Sequence, residues 1–137
     1  MKNQRFNHKL VKFGTILFVL FFIQTGFTLP TIEITIDVSP SVLNLQNQGE
    51  VVTVHTNIAY SLVASSTVFL NDVPINSWKS DDRGNYVAKF LMEDIKDLPF
   101  NINEMNTLTM IGETVGGTPF IGSEDIKVIN VLPSKKK

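Results

Sequence analysis

Cysteine is missing from this chain of 137 residues, and histidine occurs only twice. Without cysteine the protein has neither disulfides nor thiolate metal ligands, and no lipid can be attached through a thiol. His8 lies near the N-terminus, so His55 is the only histidine in the main part of the chain. A transition-metal site made of cysteine and histidine is therefore excluded. The fold must be stabilised by burial of apolar surface.

Common catalytic motifs are also missing. No serine stands in a G-x-S-x-G pattern, and no glycine-rich phosphate-binding motif occurs. The acidic pairs are adjacent in sequence, and adjacent residues of a strand point to opposite faces. We therefore interpret these pairs as solvated charges rather than as a catalytic acid and base. These pairs are Asp81 with Asp82, Glu93 with Asp94, and Glu124 with Asp125. We therefore predict that the protein is not an enzyme. The alternative, a small secreted enzyme or enzyme inhibitor, predicts a deep pocket that joins His55 to a hydroxyl and a carboxylate.

Acidic residues are absent from the first 29 residues. Lys2, Arg5, Lys9 and Lys12 precede an unbroken apolar run over residues 16–23, which is typical of a signal peptide. A membrane-spanning helix needs about 20 apolar residues, a length that this stretch approaches only when residues 13–29 are counted. We predict a signal peptide at residues 1–29, with an uncleaved N-terminal anchor as the alternative. The protein is then exported to the cell surface, the periplasm or the extracellular space. It contacts a membrane only if the segment stays uncleaved.

The remainder of the chain is acidic, with eight Lys and Arg residues against 13 Asp and Glu residues, which leaves a net charge of −5. Such a charge disfavours nucleic-acid binding. About 108 residues suffice for one hydrophobic core and not for two. We predict one domain over residues 30–132 and a basic C-terminal tail over residues 133–137, whose terminal lysines are typical of a solvated chain end.

Apolar residues of the domain alternate with polar ones, as in half-buried strands. The segment "IEITIDV" at residues 32–38 predicts one strand, and "MEDIKDLPF" alone has the spacing of a short surface helix. The turn "VGGTP" predicts a hairpin between the last two strands. Alternation places these residues inside: Val52, Val54, Ile58, Val68, Leu70, Tyr86, Ala88 and Phe90. The pattern predicts an all-β, antiparallel β-sandwich of immunoglobulin-like size.

Several phrases of the domain resemble, in order and spacing, an immunoglobulin-like module of secreted and cell-surface proteins of archaea and bacteria. They are "IDVSPSVLNLQNQGEVVTVHTNI", "STVFLNDVPI", "YVAKF", "TLTMIGET" and "FIGSEDIKVI". The resemblance covers about residues 32 to 131 and implies a β-sandwich and an exported location. It implies no catalysis, because such modules usually occur as accessory parts of larger proteins.

Some modules of this kind have an aspartate-rich loop, of a form that could hold calcium, at the position of "SDDRGN". Here Lys79 and Arg83 fall on two of the ligand positions, and cations there would repel a cation. The weak metal candidates are Asp81, Asp82 and Asn85. A calcium-stabilised adhesion module is thus an alternative. We predict a hairpin turn instead, with no cofactor and with Gly84 as its positive-φ residue.

Four apolar residues stand where alternation predicts exposure: Phe69, Leu91, Ile111 and Ile121. Single exposed apolar residues are ordinary, so burial under a loop or simple tolerance is one interpretation. The other is a partner-binding face, which requires the four side chains to form one patch rather than to lie on both sheets. From the whole pattern we expect a non-enzymatic binding or structural module, whose partner is an unknown protein or a surface polymer.

Overall fold

The computed structural model describes residues 30–134, which form two β-sheets and one short α-helix. The predicted leader at residues 1–29 and the last three lysines of the predicted tail lie outside the described residues. Among the described residues, no helix is long and apolar enough to cross a membrane. The prediction of a mostly β fold with two sheets is confirmed.

Ten strands are present in the described part of the chain. Their bounds are β1 Ile32–Glu33, β2 Ile36–Ser39, β3 Val42–Asn44, β4 Val51–Ala59, β5 Phe69–Leu70, β6 Val73–Pro74, β7 Ser77–Ser80, β8 Asn85–Leu91, β9 Glu104–Glu113 and β10 Pro119–Ile129. Sheet A has the order β1, β10, β9, β5 and β6, and β3 also pairs with β10. Sheet B has the order β2, β4, β8 and β7. The pairs of β10 with β1 and with β3 are parallel, and the other pairs are antiparallel.

The core lies between the two sheets, where alternate side chains of both meet. All eight residues that alternation placed inside are buried. In sheet A, the ring of Phe120 covers Gly112 so closely that any side chain at position 112 would overlap it. The two inner faces thus form one continuous core.

The prediction of one strand over residues 32–38 is wrong, because the chain changes sheets within it. β1 pairs with β10 of sheet A, whereas β2 pairs with β4 of sheet B. Ile34 lies at the crossing, and its N–H donates to the carbonyl oxygen of Ile121 at 2.9 Å. Gly122 makes room for it, since an added Cβ would lie 2.8 Å from the Ile34 carbonyl oxygen. Alternation did not reveal the change, because both sheets face the same core.

The predictions of the short helix and of the last hairpin are confirmed. The short helix α1 spans Met92–Lys96 and buries Met92 and Ile95 against the core, so it closes one end of the sandwich. The last two strands form the predicted hairpin, with Gly117 at φ +86° in its turn. Pro74 lies on the edge strand of sheet A, where its missing N–H interrupts no ladder between strands.

Candidate functional site

The charged residues between β7 and β8 form a tight hairpin turn. The N–H of Gly84 donates to the carbonyl oxygen of Asp81 at 3.0 Å, and the N–H of Asp81 donates to the carbonyl oxygen of Asn85 at 2.9 Å. Gly84 has φ +79°, a left-handed conformation that glycine adopts without steric cost. The predicted turn, including the role of Gly84, is confirmed.

The side chain of Asp81 closes this turn from within. Its Oδ1 accepts the backbone N–H groups of Arg83 at 2.8 Å and of Asn85 at 2.9 Å. The bond from Asn85, with smaller contributions from the Arg83 N–H and from the charges of Arg83 and His55, lowers the pKa of Asp81 despite an opposing effect of desolvation. The ionised carboxylate therefore acts as a structural element of the turn.

The calcium candidates Asp81, Asp82 and Asn85 all belong to this turn. One oxygen of Asp81 already accepts two N–H groups, and the charge of Arg83 acts on the same carboxylate. Within residues 30–134, no group of three or more histidine, aspartate or glutamate side chains is placed to hold a metal ion. The calcium alternative stays a prediction.

An open groove of about 510 Å³ lies beside the turn and contains His55. Asp37 is the cross-strand neighbour of His55, and both side chains are exposed on the outer face of sheet B. The groove borders an irregular part of β4, where the pairing with β8 shifts register between His55 and Ala59. Its hydroxyls come from Thr35 and Thr56, and the Oγ1 of Thr56 donates inward to the carbonyl oxygen of Tyr86 at 2.6 Å. The enzyme alternative stays a prediction.

A row of apolar side chains crosses the outer face of sheet A. Phe69 pairs with Ile111, and Ile111 pairs with Ile121, so the three side chains lie side by side on adjacent strands. They are exposed by 38%, 44% and 37%. Pro74 pairs with Phe69 and extends the row onto the edge strand. We call Pro74, Phe69, Ile111 and Ile121 the apolar row.

Leu91 does not belong to the apolar row. It lies on β8 of sheet B, pairs with Val51 and is 40% exposed. The four candidates therefore lie on both sheets, so the interpretation of all four as one partner-binding face is wrong, and only Phe69, Ile111 and Ile121 lie together. The reason is that alternation tells an outward residue from an inward one but does not tell which sheet the residue belongs to.

Polar and acidic residues border the apolar row. Along β9, Glu113 follows Ile111 on the same face and Thr109 precedes it. The Thr109 hydroxyl forms a hydrogen bond of 2.8 Å with that of Ser123 on β10. At the far end of the row, Glu33 on β1 pairs with Ile121. The row is thus bordered by carboxylates and by hydroxyls that bond to each other.

Sequence reasoning missed Pro74 as a member of the row and Glu33 and Glu113 as its border. The sequence does signal the outward direction of Glu113, which stands two residues after Ile111 on an alternating strand. It does not indicate that Glu33 lies beside Ile121, because β1 is separated from β10 by most of the chain. Only the sheet order brings that carboxylate to the row.

Comparison with known proteins adds no further guide to the site. The chain matches no protein-family model, no curated protein and no solved structure. In the described part of the chain, every buried side-chain nitrogen or oxygen has a hydrogen-bond partner.

Proposed function

We propose that this protein is an exported, non-enzymatic immunoglobulin-like β-sandwich that works as a binding or structural module at the cell surface or beyond. Strand order supports the immunoglobulin-like part of the proposal. Sheet B, with the order β2, β4, β8 and β7, corresponds to an A, B, E and D sheet, and β5, β9 and β10 correspond to C, F and G strands.

Export is supported by the sequence of the first 29 residues, in which basic residues precede an apolar run. The domain that follows needs no disulfide, because its two sheets enclose a continuous apolar core. Such a domain folds equally well in an oxidising and in a reducing compartment.

The apolar row carries the proposal of a binding role. Each of its three large side chains remains more than a third exposed although all three lie side by side. Contiguous exposed apolar surface is a mark of interaction sites, because its burial against a partner removes it from water. The polar border of the row also has the organisation of an interface, with an apolar centre and a polar rim.

The experiment is chemical crosslinking in the organism that makes the protein, followed by mass spectrometry of the chain with its neighbours. The chain is produced in its natural form, as Ile111→Asp and as Leu91→Asp. Leu91→Asp is the matched control, because Leu91 has nearly the same exposure as Ile111 but lies on the other sheet. Equal melting temperatures of the purified variants show that both fold.

We expect one crosslinked neighbour with the natural chain and with Leu91→Asp, and its loss with Ile111→Asp. The same spectra give the mature N-terminus and therefore the fate of the leader. Recovery of the neighbour with all three chains would remove the apolar row from the proposal. A chain that stays inside the cell would overturn the exported location.

A further inference from the structure

We propose that the apolar row receives a basic amphipathic helix of another protein, a helix whose apolar stripe is bordered by lysine or arginine. This inference rests on the proposed function and adds the chemistry of the partner. It follows from three properties of the row: the charges at its border, the hollow at its end and the small number of free backbone groups in its floor.

Among residues 30–134, the charges that border the row are negative. Glu113 lies beside Ile111 and Pro119 on the outer face, and Glu33 pairs with Ile121. The nearest basic residue that β9 or β10 places on this face is Lys127, six residues from Ile121 along β10, a distance of about 20 Å. Carboxylates at the rim of an interface favour a partner with cations at the matching positions and repel one with carboxylates.

A hollow of about 290 Å³ adjoins the end of the row. Glu33, Ile121 and Ser123 contribute to its wall, together with the backbone around Gly122. A lysine or arginine side chain suits this combination, because its aliphatic stem can pack on Ile121 while its charged end reaches the carboxylate of Glu33. The hollow therefore favours a basic residue at one end of the occupant.

The floor of the row leaves few backbone groups free for an occupant. β9 and β10 pair along ten consecutive positions, and β5 covers the other edge of β9 at the row. Beyond the end of β5, the Asn71 side chain continues this cover, since its Oδ1 accepts the Thr109 N–H at 2.7 Å and its Nδ2 donates to the Thr107 carbonyl oxygen. An occupant must satisfy its own backbone, as a helix does. The row crosses four strands, or about 14 Å, which about ten helical residues span.

The same charges argue against two other occupants. A second copy of this chain would bring the carboxylates of Glu33 and Glu113 against an equally acidic face. An anionic lipid surface would be repelled in the same way. Both become outcomes of the test.

The probes are two fluorescent helical peptides of about 18 residues with the same leucine stripe, one bordered by lysine and the other by glutamate. Binding to the exported protein is measured by fluorescence anisotropy at low and at high salt. We expect the lysine peptide to bind the natural protein and Leu91→Asp equally, and to bind Ile111→Asp at least about tenfold more weakly. The double variant Glu33→Lys with Glu113→Lys should lose the lysine peptide and gain the glutamate peptide. High salt should weaken both pairs.

Equal binding of the two peptides, or no binding of either, would overturn the inference. So would dimers that Ile111→Asp abolishes in sedimentation, because the occupant is then a second copy, or cosedimentation with anionic phospholipid vesicles through the same row. These failures are separate from that of the proposed function. If crosslinking still depends on Ile111 while the lysine peptide has no advantage, only the charge of the partner is wrong.

Discussion

Val87 on the outer face of sheet B and Ile111 on the outer face of sheet A are both outward apolar residues, but they differ sharply in exposure. On sheet B, Val87 points away from the core and yet is fully buried. On sheet A, Ile111 also points outward and remains 44% exposed. Both residues lie in long strands with partners on each side, so position within the sheet does not explain the difference.

The difference lies in the cross-strand neighbours. Val87 stands between His55 and Lys79, with Lys89 two residues along the same face, and the stems of such side chains cover apolar surface while their polar ends reach water. Ile111 stands between Phe69 and Ile121, which are themselves apolar. Sheet B thus covers its outward valine with its own polar side chains, whereas the apolar row of sheet A stays exposed.

The largest effect should come from Gly122→Ala, which tests the close contact between Gly122 and the crossing segment at Ile34. The added Cβ would lie 2.8 Å from the carbonyl oxygen of Ile34 and would force β1 away from the end of the apolar row. We expect a loss of about 3 kcal/mol in the free energy of unfolding, measured by urea denaturation. Gly116→Ala is the control, because the nearest atom would be 3.8 Å away. Equal effects of the two variants would contradict the close crossing.

The second prediction compares how much the substitutions Val87→Thr on sheet B and Ile111→Thr on sheet A change the stability of the fold. Both changes keep a β-branched side chain, but the first places a hydroxyl in a covered position and the second places it in water. We expect Val87→Thr to lower the free energy of unfolding by about 1–2 kcal/mol and Ile111→Thr to change it by less than about 0.5 kcal/mol. Urea denaturation measures both. Similar losses would show that the two faces are alike.

Much of the fold follows from alternation in the sequence, because inward and outward residues of a strand differ in polarity. Val52, Val54, Tyr86 and Phe90 were placed correctly for this reason. The crossing at Ile34 was not predicted, since a segment that leaves one sheet for the other still faces the same core. The close fit at Gly122 depends on that crossing and was equally hidden.

The candidate site was predictable only residue by residue. Phe69, Ile111 and Ile121 could be recognised as outward apolar residues, and the predicted hairpin joins the strands of Ile111 and Ile121. The position of Phe69 beside them depends on strand order, because Phe69 precedes Ile111 by 42 residues. Leu91 has the same local pattern and belongs to the other sheet. In contrast, the charged turn at Asp81 was predictable in full, because its hydrogen bonds join residues no more than four apart.

The third prediction concerns that turn, which lies at the end of sheet B. Because hydrogen bonds to its carboxylate lower the pKa of Asp81 in the folded state, the bonds stabilise the fold above the unfolded pKa, near 3.8. This stabilisation is lost as the pH falls through the folded pKa. We expect Asp81→Ala to lower the melting temperature at pH 7 by about 2–5 °C, with the difference from the natural protein shrinking below about pH 4.

Asp82→Ala serves as the control for Asp81→Ala, since Asp82 is its exposed neighbour in the same turn. Melting curves recorded from pH 7 to pH 2 by circular dichroism should show almost no difference between Asp82→Ala and the natural protein. A constant difference between Asp81→Ala and the natural protein at all pH values would show that the charge of Asp81 does not contribute.

The smallest effect is expected from calcium. If the turn is held together by backbone bonds to Asp81, then millimolar Ca²⁺ should leave the melting temperature within about 1 °C of its value in a chelator, because an ion that does not bind the folded state cannot stabilise it. Mg²⁺ at the same concentration controls for ionic strength. A rise with Ca²⁺ that Asp81→Ala abolishes would contradict this prediction. It would also change the comparison of the faces, since sheet B would then have a ligand of its own at one end while sheet A has its apolar row.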